Sequence, residues 1–467
     1  MKTRLASCLI LLASAVSSFS AAKPNVLFLF ADDMRADSVA ALGNPVVKTP
    51  NLDSIASRGF AFRNAFCLGG NSAAVCTPSR NMLLSGKAYF RWQNLTGPNG
   101  NKLGAMSPGD APNFPLSMRA AGYETYHEGK KGNTAVNIQA KFEHNVYIEE
   151  NKDRSSGEPG MQIADDATAF LKARKDDRPF FMYLAFGNPH DPRVAAQKYL
   201  DMYDRAKIPL PPDFMPQHPF DNGEMSIRDE QLSPWPRTEE EIRKHLHEYY
   251  AVITAMDHHI GRILAALKEL GQLDNTIILF SADQGIAIGS HGLLGKQNLY
   301  NAGMNSPLFF AGPGIPKGES KAMVYLLDIY PSVCDLVGTQ IPAGIDGISF
   351  KPVIEGKAAT TRDELFLSYR EAQRAVVADG YKLIRYPQIN RTQLFNFAND
   401  PYELKDLAAD SSQAGRVAGL MAKLEQWQKH YGDDLPLTSA NPKPAEWTPP
   451  APGELQRKPG KKKAAKQ

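Results

Sequence analysis

A chain of 467 residues, 43% hydrophobic and 22% charged, is longer than one hydrophobic core usually holds, so we expect a large domain with a smaller one beside it. The formal net charge of +3 comes from the two ends: residues 451–467 carry about +5 and Lys2 and Arg4 add two more, which leaves the body near −4. Overall charge therefore argues against nucleic acid as a partner of the body.

The first 22 residues have the pattern of a cleavable secretory signal. Lys2 and Arg4 precede the apolar run 9–16, and small residues follow as far as Ala22. The run is too short to span a membrane, and no later stretch could do so. We therefore expect residues 1–22 to be removed on export to the periplasm or extracellular space, and we expect no transmembrane segment. The three cysteines that remain, Cys67, Cys76 and Cys334, are too few for a disulfide framework, and whether Cys67 and Cys334 pair stays open.

The apolar run 25–30 is typical of a strand buried on both faces, and it leads to Asp32 and Asp33. Ligands of open α/β sheets bind at the carboxyl ends of the strands, which is where this pair lies. Adjacent carboxylates repel each other unless a cation lies between them, so the pair indicates a metal site. A solvated turn with a helix-capping aspartate is the other explanation.

The segment 75–87 carries a cysteine, a proline and an arginine at alternate positions: Cys76, Pro78 and Arg80. Because proline restricts the residue before it, we expect Cys76 on an extended or turning segment and a helix that begins near Ser79. Such a helix would point backbone N–H groups at Cys76, with Arg80 on its first turn. Alone, this pattern would usually mean a buried thiol beside an ordinary helix start.

The whole segment is similar to the signature of type I sulfatases. The matching positions are Cys76, Pro78, Ser79, Arg80, Leu83, Leu84, Ser85 and Gly86. The resemblance implies that a separate formylglycine-generating maturation enzyme oxidises Cys76 to formylglycine, and that Arg80 favours the ionised form of its hydrate.

The next predicted strand, 122–129, ends at Lys130. An isolated lysine is normally a solvated surface charge, but the resemblance implies that Lys130 holds a sulfate oxygen. Many sulfatases have a histidine two residues later that touches the formylglycine hydroxyls, and Gly132 stands there in this chain. Either His127 or His291 then serves as the base for sulfate release, or the chain works without such a base.

The apolar run 180–186 predicts another buried strand and leads to His190, which lies between two prolines. A stiffly held histidine suits a positioned acid, although a lone histidine is more often structural. The family pattern of Pro-His after an apolar strand implies that His190 donates a proton to the leaving group. Arg193 is a candidate contact to substrate groups beyond the sulfate.

The pattern over 238–270 predicts the longest helix. His258 and His259 lie within it, but adjacent helical residues do not face one another, so we expect no metal site there.

The apolar run 275–282 predicts a further buried strand that ends in the oxygen-bearing pair Asp283 and Gln284. Oxygen donors at the ends of two strands predict a hard-cation site, and no residues have zinc spacing. By resemblance, one divalent cation, usually calcium, is bound by Asp32, Asp33, Asp283, Gln284 and the modified Cys76.

The glycine-rich stretch 289–300 contains His291 and Lys296 and is similar to a sulfatase segment. The resemblance implies that Lys296 is a second lysine on the sulfate. His291 either points into the pocket, as a substrate-binding candidate, or braces the loop.

The likeness covers about residues 23–410 and implies the alkaline-phosphatase-like fold, an α/β protein with a large mixed sheet sandwiched by helices. We assign residues 23–354 to this catalytic domain. Short strand-like runs separated by turns, then an amphipathic helix over 416–431, predict a C-terminal subdomain over 355–435 with an antiparallel sheet and a helix. Residues 436–467, rich in Pro, Ala and Lys, predict a disordered basic tail.

Together these features predict a secreted sulfatase that acts on sulfated carbohydrate, although another sulfate ester fits the same residues. Calcium, Lys130 and Lys296 would clamp the sulfate oxygens, the hydrated aldehyde at position 76 would attack, and His190, with Lys296, would protonate the departing alkoxide. The second hydroxyl of the hydrate would then expel sulfate. A formylglycine-dependent phosphonate or phosphodiester hydrolase is the alternative, and Gly132 motivates a third possibility, an inactive glycan-binding relative.

Overall fold

The computed structural model describes residues 23–97 and 99–450, so the predicted signal (1–22) and the last part of the predicted tail (451–467) lie outside the described residues. The strands, in chain order, are β1 (Asn25–Asp32), β2 (Phe60–Phe66), β3 (Gly69–Gly70), β4 (Glu124–Gly129), β5 (His144–Tyr147), β6 (Phe180–Pro189), β7 (Thr276–Ala282), β8 (Asn305–Ala311), β9 (Gly318–Tyr325), β10 (Leu365–Tyr369), β11 (Gln373–Ala378), β12 (Tyr381–Tyr386) and β13 (Arg391–Phe395). The helices are α1 (Pro50–Ala56), α2 (Cys76–Ser85), α3 (Phe114–Ala120), α4 (Val136–Gln139), α5 (Glu150–Ser155), α6 (Met161–Ala173), α7 (Gln197–Leu200), α8 (Glu239–Glu269), α9 (Asn301–Met304), α10 (Ile329–Leu336), α11 (Lys351–Ile354) and α12 (Ala414–Tyr431).

The larger sheet has eight strands in the order β5-β4-β6-β1-β7-β8-β2-β9. The five strands from β5 to β7 are parallel, β8 is antiparallel to both of its neighbours, and β9 is parallel to β2. The predicted mixed sheet is therefore confirmed. Because β1, β6 and β7 are adjacent and parallel, the polar residues that follow them meet at one edge.

Alternate residues of β1 face two apolar layers, as expected of a strand covered on both sides. Phe28 and Phe30 face the layer that contains Leu83 of α2, whereas Leu27 and Leu29 face the layer built with α8. The helix that carries Cys76 and the long helix α8 thus cover opposite faces of the sheet, and the polar edge lies between their layers.

The smaller sheet has the order β13-β12-β11-β10-β3 and, as predicted, is antiparallel over its four C-terminal strands. Its fifth strand, β3, comes from the segment before Cys76 and pairs in parallel with β10. Gly69 has φ +107°, and a Cβ there would lie 2.0 Å from the Ser368 carbonyl oxygen, so only glycine allows this approach. Both sheets contribute to one apolar layer, and the division at residue 355 stays a prediction.

The first part of the predicted disordered tail, residues 436–450, is packed against the body. The Leu437 carbonyl accepts from Arg385 Nε at 2.6 Å, the Asp221 amide donates to the Ala445 carbonyl at 2.8 Å, and Trp447 packs edge-on against Trp235. The expectation of disorder is therefore wrong for this stretch, because its backbone and aromatic groups find partners on strand β12 and on the loop residues Asp221 and Trp235.

Within the described ranges, no helix combines the length and the apolar character needed to cross a membrane. Cys67, Cys76 and Cys334 are all buried free thiols, so the structure does not join Cys67 to Cys334.

Candidate active site

Helix α2 begins at Cys76, three residues earlier than predicted, with Val75 preceding it. Pro78 lies in the first turn, where its missing N–H costs nothing because the first N–H groups of a helix have no intrahelical partner. Cys76 therefore sits at the positive end of the helix. Ser79 lies inside the helix, and its hydroxyl donates to the Asp283 carbonyl oxygen at 2.5 Å.

The Cys76 thiol lies against the carboxylates at the end of β1. Its sulfur is 3.2 Å from Asp32 Oδ1 and 3.9 Å from Asp33 Oδ1. Consecutive strand residues point to opposite faces, but Asp33 has φ +64°, a left-handed conformation that turns both carboxylates to the same place. The Tyr249 hydroxyl of α8 donates to the Asp33 carbonyl at 2.9 Å and so braces this turn.

The end of β7 brings Asp283 and Gln284 to the same place. Asp283 Oδ1 accepts the Asp33 amide at 3.0 Å, and the Gln284 side-chain amide lies 2.6 Å from Asp33 Oδ1 and 3.0 Å from the Cys76 sulfur. One ligand atom from each of Asp32, Asp33, Cys76 and Asp283 lies within 4.8 Å of the others.

Three cationic side chains enclose these carboxylates. Lys130 pairs with Asp32 Oδ2, Lys296 Nζ lies 2.8 Å from both oxygens of Asp33 and 3.2 Å from the Cys76 sulfur, and Arg80 Nε donates to Asp283 Oδ2 at 2.9 Å. All three side chains are buried. The contacts show that the two lysines and the arginine, which come from separate parts of the chain, surround one carboxylate cluster.

The carboxylate pKa values indicate a place for a cation. Burial and the charge of Asp32 raise the pKa of Asp283 to about 6, because Arg80 offsets only part of the repulsion. Burial also raises the pKa of Asp32, but the attraction of Lys130 and Arg80 outweighs it and holds that pKa well below the usual value. Gln284 Oε1 is buried without a hydrogen-bond partner among the described residues. Carboxylates in mutual repulsion and an unpaired amide oxygen fit a hard divalent cation.

His190 forms the solvent side of this cluster. Its Nε2 lies 3.7 Å from Asp33 Oδ2 and its Nδ1 lies 2.7 Å from the Asp191 carbonyl oxygen, which makes Nδ1 the donor and holds the ring. The His190 side chain is 15% exposed, against 1% for Lys130 and 3% for Lys296. A substrate group that leaves toward solvent would therefore pass His190.

The structure places the other predicted residues outside the cluster. Arg193 stacks over Tyr249, 5.3 Å from the ring centre, and donates to the Pro189 carbonyl. His291 stacks on Tyr300 with ring centres 3.8 Å apart and lies 3.3 Å from Asp213, so of its two predicted roles the geometry favours bracing the loop.

His127, the other candidate base, donates from Nδ1 to Asn145 Oδ1 at 2.7 Å and packs against Tyr183. Burial lowers the pKa of His127 and of His291 to about 3, which makes both weak bases. Among the residues that the structure describes, neither ring hydrogen-bonds to Cys76 or to its carboxylate neighbours, so the geometry does not support either ring as the base.

The buried His218, which contacts the loop that His291 braces, is expected to make the folded protein less stable in acid. His218 donates to the His291 carbonyl, and burial lowers the pKa of His218 to about 4, whereas an unfolded histidine titrates near pH 6.5. Below about pH 6.5 only the unfolded chain takes up this proton, so the free energy of unfolding falls by about 2 kcal/mol for this group between pH 7 and pH 5. Urea unfolding at both pH values should show a smaller fall for His218→Gln and an unchanged one for the exposed His258→Gln. An equal fall in all three proteins would contradict the assignment.

One residue of the cluster carried no sequence signal. Arg154 of α5 is 4% exposed, and its NH2 lies 3.3 Å from Asp32 Oδ2. Glu150 pairs with Arg154 NH1 at 2.8 Å, and a Cβ on Gly132 would lie 3.5 Å from Glu150 Oε2. The space beside Gly132, where the resemblance leads one to expect a histidine, is thus bordered by the Glu150–Arg154 pair. No motif surrounds Arg154, and only the packing of α5 against the end of β6 brings it here.

Two family models match most of this chain. Residues 24–339 match the model of the sulfatase family, and residues 289–430 match that of the C-terminal region of N-sulphoglucosamine sulphohydrolase. The chain belongs to the sulfatase family, whose members are sulfuric ester hydrolases, and has its alkaline-phosphatase-like fold.

Individual relatives are distant but aligned over almost their whole length. N-acetylglucosamine-6-O-sulfatase of Bacteroides thetaiotaomicron is 26% identical, over 89% of this chain and 88% of the relative. A structure solved in complex with its substrate, D-glucosamine-2-N,6-O-disulfate, has a TM-score of 0.72 at 23% identity, over 89% of this chain and 99% of the other. Phosphonate monoester hydrolase of Agrobacterium radiobacter has a TM-score of 0.71 at 21% identity, over 87% and 96%. At these identities the structural likeness concerns the fold.

Proposed function

We propose that this protein is an exported, calcium-dependent sulfatase that removes sulfate from carbohydrate by way of a formylglycine made from Cys76 by a maturation enzyme. The observation that carries the proposal is the meeting of Cys76 with three carboxylates and two lysines at one buried cluster. Family membership supports the reaction class.

The charge balance of the cluster supports binding of an anionic group. The carboxylates of Asp32, Asp33 and Asp283 are balanced by Lys130, Lys296 and Arg80, and Glu150 balances Arg154. A divalent cation held by Asp32, Asp33, Asp283, Gln284 and residue 76 would add two positive charges and would draw electron density from a sulfate oxygen. The resulting excess of positive charge suits an anionic sulfate ester and the negative charge that develops on the departing oxygen as the ester bond breaks.

The chain's own residues then have separable tasks. Lys130 and Lys296 would turn N–H groups from the aspartates to the sulfate oxygens, and Arg80 would keep Asp283 in place through its Nε contact. An aldehyde hydrate at position 76 would attack sulfur through one hydroxyl in its ionised form, and the bond from sulfur to the sugar oxygen would break. Its second hydroxyl would then lose its proton, so that the C–O bond to sulfate breaks and the aldehyde re-forms. His190 Nε2 would give its proton to the departing sugar oxygen on the solvent side.

The release step has no dedicated histidine base in this proposal. His190 is neutral after it has donated its proton, and it lies at the open side of the cluster. It can therefore accept the proton that is set free when sulfate is expelled, so one residue would serve both halves of the reaction.

Carbohydrate is the proposed substrate class, because two kinds of comparison point to amino sugars. One aligned relative is named N-acetylglucosamine-6-O-sulfatase, and the matched C-terminal family is named for N-sulphoglucosamine sulphohydrolase. Sulfate release from a panel of sulfated mono- and oligosaccharides, set beside 4-nitrophenyl sulfate and a phosphonate monoester, tests the proposal. Faster turnover of the phosphonate would favour the alternative hydrolase, and glycan binding without release by matured protein would favour the inactive relative.

Loss of His190 is expected to matter more for sugars than for activated esters. A sugar alkoxide is a poor leaving group that needs a proton, whereas 4-nitrophenolate leaves without one. His190→Ala should lower kcat by about 10²–10⁴-fold on the sugar sulfate and by less than about 10-fold on 4-nitrophenyl sulfate. His144→Ala, a half-exposed histidine paired with Glu124, is the matched control. Equal losses on the two esters would show that His190 is not the acid.

A further inference from the structure

Arg154 reaches the cluster from a short helix that carries none of the predicted site residues. Its guanidinium is held on three sides. Nε donates to the Gly187 carbonyl at 2.8 Å, and NH1 pairs with Glu150 at 2.8 Å and lies 3.4 Å from the Asp191 carbonyl. The arginine therefore has a defined orientation before any ligand arrives.

A count of donors leaves one N–H of Arg154 available. A guanidinium has five N–H bonds. Nε uses one, NH1 uses two, and NH2 uses one on Asp32 Oδ2 at 3.3 Å. Within the described part of the chain, the second N–H of NH2 has no acceptor, although the side chain is only 4% exposed.

Asp32 Oδ2 receives more cations than one oxygen can satisfy. Lys130 pairs with it, Arg154 NH2 lies 3.3 Å from it, and Arg80 NH2 lies 3.6 Å from it. Arg80 NH1 and NH2 have no hydrogen-bond acceptor of good geometry among the described side chains and backbone. Several buried N–H groups thus converge where one carboxylate oxygen cannot use them all, which is an arrangement for a larger anion with several oxygens.

We propose that Arg154 donates to an oxygen of the substrate's sulfate group, as a third cationic clamp beside Lys130 and Lys296. The inference rests on the proposed function and adds a residue to it. Only the Asp32 carboxylate separates Arg154 NH2 from the Cys76 sulfur, since Oδ1 of that carboxylate is 3.2 Å from the sulfur and Oδ2 is 3.3 Å from NH2. A sulfate group held at residue 76 and at the lysines therefore lies within reach of the free N–H.

Lysine could not replace this arginine. The guanidinium keeps its hold on Gly187 and Glu150 while a separate nitrogen faces the site, whereas an ammonium is one point charge that would be drawn to one partner. Arg154→Lys should therefore behave like Arg154→Ala, and added guanidinium should restore activity to the alanine variant but not to the lysine variant.

The test uses matured, calcium-loaded protein and two measurements. We expect Arg154→Ala to lower kcat/KM for sulfate esters by about 10²–10³-fold. We expect calorimetric titration with inorganic sulfate to show at least about 10-fold weaker binding, a readout that requires no turnover. Arg174→Ala is the matched control, because Arg174 is equally buried and pairs with Glu124 outside the cluster. Arg154→Gln, which retains a donor at the position, is the substitute if the alanine variant does not fold.

The outcomes separate the two proposals. An active wild type whose Arg154 variants keep full kcat/KM and full sulfate affinity would overturn the role of Arg154 and leave the proposed function standing. A matured wild type that releases sulfate from no ester would overturn the proposed function and, with it, this inference. Weakened sulfate binding together with guanidinium rescue would support it.

Discussion

Replacing Cys76 with alanine is expected to abolish sulfate release while the fold is retained. The sulfur lies 3.2 Å from Asp32 and from Lys296, so this is the atom that meets both the carboxylates and the clamping cation. Removal of a nucleophile lowers turnover far more than removal of a binding group, and we expect a loss of at least about 10⁴-fold. Sulfate release from the best substrate of the panel is the measurement.

A control variant and a mass measurement show whether the loss of sulfate release is specific to Cys76. Cys334→Ala removes an equally buried thiol from α10 and should leave turnover unchanged. Mass spectrometry of the tryptic peptide 64–80 should show an aldehyde at Cys76 and a thiol at Cys67, which lies in the same peptide. Full activity with an unmodified Cys76 thiol, or in the alanine variant, would refute the proposed chemistry.

Replacing Asp32 with asparagine is expected to give the largest change in stability. Asp32 is completely buried and faces Lys130, Arg80 and Arg154. Its loss leaves these cations buried without their shared counter-charge, and we expect the free energy of unfolding of the calcium-free protein to fall by about 3–5 kcal/mol. Urea unfolding with and without calcium measures it, and the stabilisation by calcium should also largely disappear.

Asp257→Asn is the control for the loss of any buried carboxylate. Asp257 accepts the backbone amides of Asn51 and Leu52, and among the described residues it pairs with no cation. Its replacement should therefore cost less and should leave calcium stabilisation intact. If Asp32→Asn lowers the free energy of unfolding no more than Asp257→Asn does, the buried cations around Asp32 do not need its carboxylate for stability.

The strands and the residues at their ends were predictable because both depend on local sequence. Buried strands appear in a sequence as continuous apolar runs. Because the polar residues that follow adjacent parallel strands lie at one edge of the sheet, the pattern predicts that Asp32 and Asp283 are close together, as β1 and β7 place them. Lys130 and Lys296 could be named only through the resemblance, since a lone lysine has no signal of its own.

Other features depend on packing between distant segments. The orientation of His291 depends on its stacking on Tyr300, and that of Arg154 depends on the carbonyl of Gly187 at the end of β6. Residues 436–450 are held by strand β12 and by a loop that precedes them by about two hundred residues. The start of α2 differs from the expected one for another reason. Proline disfavours helical residues before it, but the first turn of a helix tolerates proline, and tertiary contacts decide between the two.

The burial of Cys76 sets an order of events for the biosynthesis of the proposed enzyme. A side chain that is 1% exposed could receive a sulfate group but could not enter the active site of another enzyme while α2 stays docked. The oxidation would therefore have to take place on the nascent or newly exported polypeptide, before α2 docks on the sheet. Purified folded protein should resist conversion by an added maturase, whereas a chain released from denaturant in its presence should accept it.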